Sequence, residues 1–484
     1  MLNDIRVLGK ETLAYGLSTV LARLLNFLLL PLHTHYLLPG GFGVQTTVYA
    51  YIAILNIVFQ LGMYQAYLRH AAESGAKVET VFSTAFWPLL GSAALLASLM
   101  HWLAEPLAVL GGVEAGAAPF MRYAAWILAL DAVAVAPFAD LRLSHRVLTY
   151  VGVRAFNIAL NVCLNLYFLA VLGLGVRGVF LASLAASAST LVLLSPVIAQ
   201  RLRLVCDGVL LTELLRFGLP LIPAGVSAMV VQVADRPILL RLMDKDTVGV
   251  YQANCRLAIP MLMLVAMFDQ AWRPFFLERM HKPDSRELYA RVFTYSLMTG
   301  IFAALALSFF MEDIVAFPLG RGRTLIPQAY WAGLCVVPVA LAANVLRGAY
   351  INFMAAVTIS KRTGSLVWVT ASGAAVFLAA NFLLIPFWGM MGAAWAAVIA
   401  QGTMALSLYL AGQRVHPIPY EGRRVALLLA AAAASAAARA AGPDWALARL
   451  GALALMPAVL ILTGFFTQDE KRALASLLGK PRAS

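Results

Sequence analysis

The chain has 484 residues, 62% of them hydrophobic and only 12% charged, with a formal net charge of +13. A soluble domain is about 45–50% apolar and about 25% charged, so the composition excludes a water-soluble globular protein and indicates one that crosses a membrane many times. The basic surplus does not point to nucleic acid, because Lys and Arg are scattered over short connections with no basic, aromatic-interleaved domain.

Apolar runs fall, in chain order, at 11–37, 43–68, 80–103, 119–141, 147–172, 176–199, 211–235, 247–272, 289–311, 327–352, 365–386, 388–411, 424–441 and 445–466. Crossing the hydrocarbon layer takes roughly 20 apolar residues, and in lipid only a helix satisfies its own backbone. The expected fold class is therefore an all-α polytopic membrane protein with about 14 transmembrane helices. The polar start, Met1–Lys10, is followed by no small-residue processing site, so the first run is expected to be a retained helix. The longest connection, Arg273–Arg286, is too small to fold alone. No Gly-rich loop ends in Lys-Ser or Lys-Thr, so no ATP-driven chemistry is expected of this chain. Cys163, Cys206, Cys255 and Cys335 show no paired spacing and are read as buried thiols. His33 and His35 are read as interfacial, and no metal or cofactor is expected.

Loop charge sets orientation. The amino terminus and the even-numbered loops carry 23 of the 36 Lys and Arg residues, against nine on the odd-numbered loops. By the positive-inside rule both termini are expected in the cytoplasm. The other four, Arg23, Arg154, Arg256 and Arg347, fall inside apolar runs.

The chain also repeats. Gly175-Val176-Arg177-Gly178 after Asn165 parallels Gly389-Met390-Met391-Gly392 after Asn381, and Gly41-Phe42-Gly43 parallels Val248-Gly249-Val250. Helices one to six then correspond to seven to twelve as a parallel repeat, which places a substrate path between two lobes. The expected domains are 1–205 (first lobe), 206–415 (second lobe) and 416–484 (a terminal helix pair and tail).

Several helices carry one polar face. Gly16, Thr19, Arg23 and Asn26 share a face of the first; Gln45, Tyr49, Asn56, Gln60 and Tyr64 share one in the second. Tyr150, Arg154, Asn157, Asn161 and Asn165 stripe the fifth, Gln252 and Arg256 stand at i,i+4 in the eighth, and Asn344 and Arg347 at i,i+3 in the tenth. Such faces suit a wet lumen, although Asn and Gln also join membrane helices through hydrogen bonds. Of the acidic residues, Asp131 is central to its run, Asp235 stands beside Arg236, and Asp269 lies one turn before Arg273. These are read as gating or ion-coupling candidates together with Arg236. The embedded set stays net positive, and Arg binds phosphate through a two-pronged fork, so an anionic substrate is expected. The substrate-binding candidates are Arg23, Asn26, Asn56, Gln60, Arg154, Asn157, Asn161, Gln252, Arg256 and Arg347.

The string Phe217-Gly218-Leu219-Pro220-Leu221-Ile222-Pro223, Asp235-Arg236, Val248-Gly249-Val250-Tyr251 and Gln270-Ala271-Trp272-Arg273-Pro274-Phe275 resembles the polysaccharide transporters of the MOP (multidrug/oligosaccharidyl-lipid/polysaccharide) superfamily, of the O-antigen flippase type. The resemblance implies an inner-membrane flippase, not an enzyme. It would carry an undecaprenyl-diphosphate-linked oligosaccharide to the periplasmic leaflet for lipopolysaccharide or other surface-polysaccharide biosynthesis, by rocking of two lobes. Implied partners are the anionic lipid-linked glycan, membrane lipids, a glycan polymerase and glycosyltransferases. Arg23 and Arg256, one per repeat, are then expected on the diphosphate. The alternatives are a lipid-linked peptidoglycan precursor flippase and a multidrug or cation antiporter of the same superfamily. A membrane glycan polymerase or ligase fits less well, because the longest outward loop, Glu312–Thr324, is short.

Overall fold

The computed structural model describes residues 27–73, 77–320, 322–360, 364–467 and 470. In chain order the helices are α1 (27–36), α2 (Pro39–Ala71), α3 (Val78–Trp102), α4 (Ala118–Leu143), α5 (Val147–Val171), α6 (Gly175–Arg201) and α7 (Gly208–Val233, continuing as Asp235–Leu242). Then come α8 (Lys245–Leu257 and Ile259–Arg279, bent by 47°), α9 (Ser285–Phe309), α10 (Val336–Ile359), α11 (Gly364–Trp388), α12 (Met390–Val415), α13 (Gly422–Ala441) and α14 (Ala446–Leu462). Strands Pro318–Gly320 and Arg323–Thr324 form a small antiparallel hairpin between α9 and α10.

Among the described residues eleven helices are long and apolar enough to span a membrane, and the bent α8 makes twelve. The chain is thus an all-α, multi-pass membrane protein. Of the remaining two expected spans, α14 is an apolar helix of 17 residues and the run at 11–37 is described only from residue 27. The run at 327–352 is displaced. After Pro327, residues Gln328–Gly333 wind as a 3-10 helix and the long helix starts at Val336, a distinction that hydropathy alone does not carry. Cys163 and Cys335 are exposed and Cys255 is half-buried, so the expectation of buried thiols in the apolar runs fails, because such a run also has a lipid-facing side; Cys206, in the connection between α6 and α7, is exposed as well.

Contacts group the elements. Helices α2, α3, α4 and α6 pack together with α5 against α6; α8 and α9 pack on α10, α7 on α11, and α10 and α11 on α12; α13 and α14 pair and lie on α9. The groups meet where α2 packs against α7 and against α8. The sequence cause of the α2–α8 crossing is a reciprocal pair of glycines. A Cβ on Gly43 would fall 1.9 Å from the Lys245 carbonyl oxygen, and one on Gly249 would fall 1.9 Å from the Pro39 carbonyl oxygen. Each glycine meets the carbonyl four residues before the other, so the two helices cross with near two-fold symmetry. The other glycine match behaves likewise. Gly175 (φ 56°) and Gly389 (φ 53°) hold left-handed turns that launch α6 and α12. Gly178 and Gly392 let those helices close on the ends of α5 and α11. Only glycine allows such backbone approach and such turns without strain.

Odd- and even-numbered connections gather at opposite faces. On the odd face Lys245 pairs with Glu114 at 2.6 Å, and Arg323 covers the Tyr36 ring. Arg449, buried in α14, pairs there with Asp313 and binds the α13–α14 turn through the Asp444 carbonyl. On the even face Arg424 bridges Glu421 and Glu470, while Glu421 accepts from Thr294 of α9. Burial raises the Glu470 carboxyl, but hydrogen bonds from the Thr467 N–H and Arg424 outweigh it and hold it at about 2. That contribution is present above the ordinary carboxylate range and is lost as pH falls toward 2.

A second even-face knot ties α2, α3, α4 and α6. The buried Asp140 carboxylate accepts from Tyr67 Oη at 2.7 Å and from Arg201 Nε at 3.3 Å, and Arg201 also reaches Glu79 at 3.3 Å. Asp140→Ala strands the buried Tyr67 hydroxyl, which costs about 1–3 kcal/mol. Thermal unfolding of the detergent-solubilised variant is expected at a clearly lower temperature, with Tyr67→Phe recovering part of the loss in the double variant.

Candidate functional site

Two polar cavities meet at the α2–α8 junction. The first, of about 440 Å³, lies among α1, α2, α5 and α6 and is lined by His33, Gln45, Tyr49, Asn157, Asn161, Asn165 and Ser183. The second, of about 360 Å³, lies among α7, α8, α10 and α12 and is lined by Asp235, Arg236, Tyr251, Gln252, Asn344, Arg347 and Gln401. Arg256 and Ile259 line both. Both volumes fall in the range of small-ligand sites, about 300–1,000 Å³.

Helical spacing builds each wall. Gln45 and Tyr49 are one turn apart on α2, and Asn157, Asn161 and Asn165 form a ladder on α5. The ladder is also a joint. Asn157 Nδ2 donates to the Ala186 carbonyl and to Thr190 Oγ1, both at 2.9 Å, Asn161 Nδ2 donates to Ser183 Oγ at 3.1 Å, and Ser183 is bonded to the Tyr49 hydroxyl. Asn165 Nδ2 donates back to Asn161 Oδ1 at 3.0 Å, leaving Asn165 Oδ1 to face His33 Nε2 at 3.2 Å. These asparagines thus both join α5 to α6 and line the cavity.

The second wall is ordered by Asp235. Its carboxylate accepts from Tyr251 Oη at 2.8 Å and from the Arg236 backbone N–H at 3.0 Å, with Arg236 Nε at 3.9 Å. Arg236 Nε is buried with no hydrogen-bond partner. Arg256 stands just before the bend of α8. Pro260 has no N–H to give the Arg256 carbonyl, so the helix breaks there and turns by 47°. The half-buried Arg256 guanidinium lies 4.9 Å from the Phe42 ring centroid, and among the described residues it makes no ion pair. Among the described residues three arginines against one aspartate leave the second cavity cationic, whereas the first, apart from the shared Arg256, holds amides, hydroxyls and one histidine.

The other candidates lie elsewhere. Arg23 and Asn26 fall outside the described residues. Asn56 and Gln60 bond each other at 2.8 Å and line neither cavity. Arg154 is exposed, its guanidinium 4.1 Å from the Phe138 ring, while Asp131 accepts from Ser187 at 2.8 Å behind the first cavity. Asp269 is held by Arg273 in a two-pronged pair at 2.8 and 3.0 Å, away from both cavities. Sequence reading placed His33 at an interface and passed over Ser183 and Tyr251. Only the packing of α1 on α5, of α5 on α6 and of α7 on α8 turns them inward.

Comparison with known proteins fits this arrangement. Among solved structures the fold is similar to "Lipid II flippase MurJ, inward closed conformation", with a TM-score of 0.73 at 12% identity over 96% of this chain and 99% of that one. It is also similar to an inward-facing "multidrug resistance MATE family transporter of the MOP superfamily" (TM-score 0.66, 15% identity, 82% and 94% covered). A third is a MOP superfamily transporter from Pyrococcus furiosus whose title reports reversed polarity of its binding pocket (TM-score 0.58, 15% identity, 84% and 95% covered). No curated protein sequence matches the chain. Residues 34–279, half of the chain and the whole α2–α8 junction, match the family model described as "Polysaccharide biosynthesis protein". On that match the chain belongs to the polysaccharide biosynthesis protein family, built on the MOP-superfamily transporter fold.

Proposed function

We propose that this protein is a flippase that carries an undecaprenyl-diphosphate-linked oligosaccharide from the cytoplasmic to the periplasmic leaflet of the inner membrane, for O-antigen-type surface polysaccharide. The observation that carries the reading is Arg256, the charged side chain shared by a cationic cavity and an amide-rich one. A diphosphate needs fixed guanidinium groups, and sugars need hydrogen-bonding walls. The α2–α8 junction divides lobes at 1–205 and 206–415, with 416–484 as an accessory pair, and these lobes rock about it. Glycosyltransferases supply the substrate and a polymerase consumes it.

The reading is tested in a strain lacking its own lipid-linked-glycan flippase and supplied with the cognate glycosyltransferases. Surface glycan restored by this chain supports the proposal; none, with the protein present in the membrane, overturns it. A second reading, a lipid-linked peptidoglycan precursor flippase, draws on the extent of the structural likeness to the lipid II flippase. Rescue of a strain depleted of that activity distinguishes the two. A multidrug or cation antiporter is disfavoured by the surplus of arginine over acid in the second cavity.

Orientation gives a further test. With both termini cytoplasmic, the exposed Cys206 between α6 and α7 faces the cytoplasm. In intact spheroplasts a membrane-impermeant maleimide is expected to leave Cys206 unlabelled until the membrane is permeabilised. A cysteine replacing Arg323 in a variant lacking the native thiols is expected to label at once. The reverse pattern inverts the topology.

A further inference from the structure

The first cavity contains two buried acceptors with nothing to accept. Asn165 spends its Nδ2 on Asn161, so its Oδ1 faces His33 and requires the proton of the neutral imidazole on Nε2. His33 Nδ1 is then a bare acceptor; it is buried and has no hydrogen-bond partner among the described residues. Gln45 Oε1, on the neighbouring helix, is likewise buried and unpartnered. His33 is 4% and Gln45 2% exposed, and both line the same cavity. Around them Asn165, Asn161, Ser183 and Tyr49 are already committed to one another. The cavity is therefore a rigid, satisfied frame with two acceptor positions left open. Arg256 at its mouth supplies the one permanent positive charge in its lining.

We infer that this cavity is a subsite for the first sugar of the lipid-linked substrate, read through two donor groups of that sugar by His33 Nδ1 and Gln45 Oε1, while Arg256 holds the adjoining diphosphate. The inference rests on the transport reading above and adds a division of labour to it. A sugar hydroxyl or an acetamido N–H supplies the proton each acceptor lacks. Phosphate oxygens, which only accept, do not satisfy them. The cationic cavity on the other side of Arg256 has the opposite preference. Selectivity for a glycosylated over a bare diphosphate then arises on the α1–α2 side alone.

The test measures equilibrium binding to the full-length protein in nanodiscs. The probes are undecaprenyl diphosphate, bare or carrying a single glucose or N-acetylglucosamine. A hydrogen bond to a buried acceptor that is otherwise unpaired is worth about a factor of ten in affinity. Wild type is expected to bind at least one glycosylated probe about tenfold or more tighter than the bare lipid. Gln45→Met keeps the shape and removes the acceptor. It is expected to erase most of that preference, and His33→Leu to do the same. Arg256→Ala is expected to weaken all three probes together. Equal wild-type affinity for bare and glycosylated lipid overturns the subsite, as does a Gln45→Met variant that retains the full preference. Binding of none of the probes overturns the transport reading, and the subsite with it.

Discussion

Arg256→Ala is expected to lose most glycan export, with the protein still present in the membrane, and Arg256→Lys to retain part of it. Arg256 is the one charged side chain common to both cavities, and among the described residues no carboxylate neutralises it. An arginine inside a membrane helix costs roughly 2.5–3.5 kcal/mol on insertion scales. Stacking against Phe42 offsets part of that cost, since an arginine over an aromatic face gains about 0.5–2 kcal/mol. Hydrogen bonds to a charged group contribute about 1.5–3 kcal/mol, so losing the phosphate contact corresponds to roughly 10- to 150-fold in affinity. Lysine keeps the charge but loses the planar fork and the stack, hence the intermediate result. Arg273→Ala is the control. Its partner Asp269 sits in the even-face half of α8 and lines neither cavity, and exposed pairs are worth about 0–1 kcal/mol, so export is expected near wild type. Surface glycan, normalised to membrane protein level, reads all three. Full export by Arg256→Ala removes this residue from the phosphate site.

Gly249→Val is the second large effect. Its Cβ falls 1.9 Å from a backbone oxygen, that of Pro39, and a helix backbone does not step aside as a flexible side chain does. Close-packed interiors do not absorb an overlap of this size, so α2 and α8 must part by about an ångström or more on the odd-loop face. Overpacking of a tight contact typically costs about 1–3 kcal/mol. Parting these helices also loosens the neighbouring Lys245–Glu114 pair and exposes the lumen. The native Cys255 lines the second cavity and reports that opening. In a variant retaining only this thiol, Gly249→Val is expected to speed its labelling by a small membrane-impermeant reagent added outside, to lower the unfolding temperature and to reduce export. Unchanged labelling and stability contradict the α2–α8 crossing as the contact that shuts the lumen on the odd-loop face. Gly43→Val, at the reciprocal position, is expected to behave the same way.

Much of this was legible in the chain because its logic is periodic. Runs of apolar residues mark the spans, and i,i+4 spacing marks Gln252 with Arg256 and the asparagine ladder of α5. Paired glycines mark the repeat, and the structure adds the reason, since Gly43 and Gly249 are the points where two helix backbones touch. What periodicity does not carry is the rotation of each helix about its axis. Arg154 continues the α5 stripe on paper, yet it is exposed, lies on the Phe138 ring and lines neither cavity. Asn56 and Gln60 continue the α2 stripe, yet they lie beyond the cavity, toward the break of α2 at Leu61 and Gly62. His33 shows the converse: two histidines near a helix end look interfacial until α1 packs against Asn165. Asp140 gives no sequence signal because its partners, Tyr67 and Arg201, come from two other helices far apart in sequence.

The most direct test is transbilayer movement in proteoliposomes that contain only the purified full-length chain and a short-chain polyprenyl diphosphate bearing a fluorescently tagged sugar. With the wild-type protein, an external quencher is expected to reach the pool that starts in the inner leaflet. With Arg256→Ala, that pool is expected to stay protected for as long as it does in protein-free vesicles. Equal quenching by the wild type and Arg256→Ala, or wild-type protection equal to that of empty vesicles, contradicts an arginine-centred path for a lipid-linked glycan through this lumen.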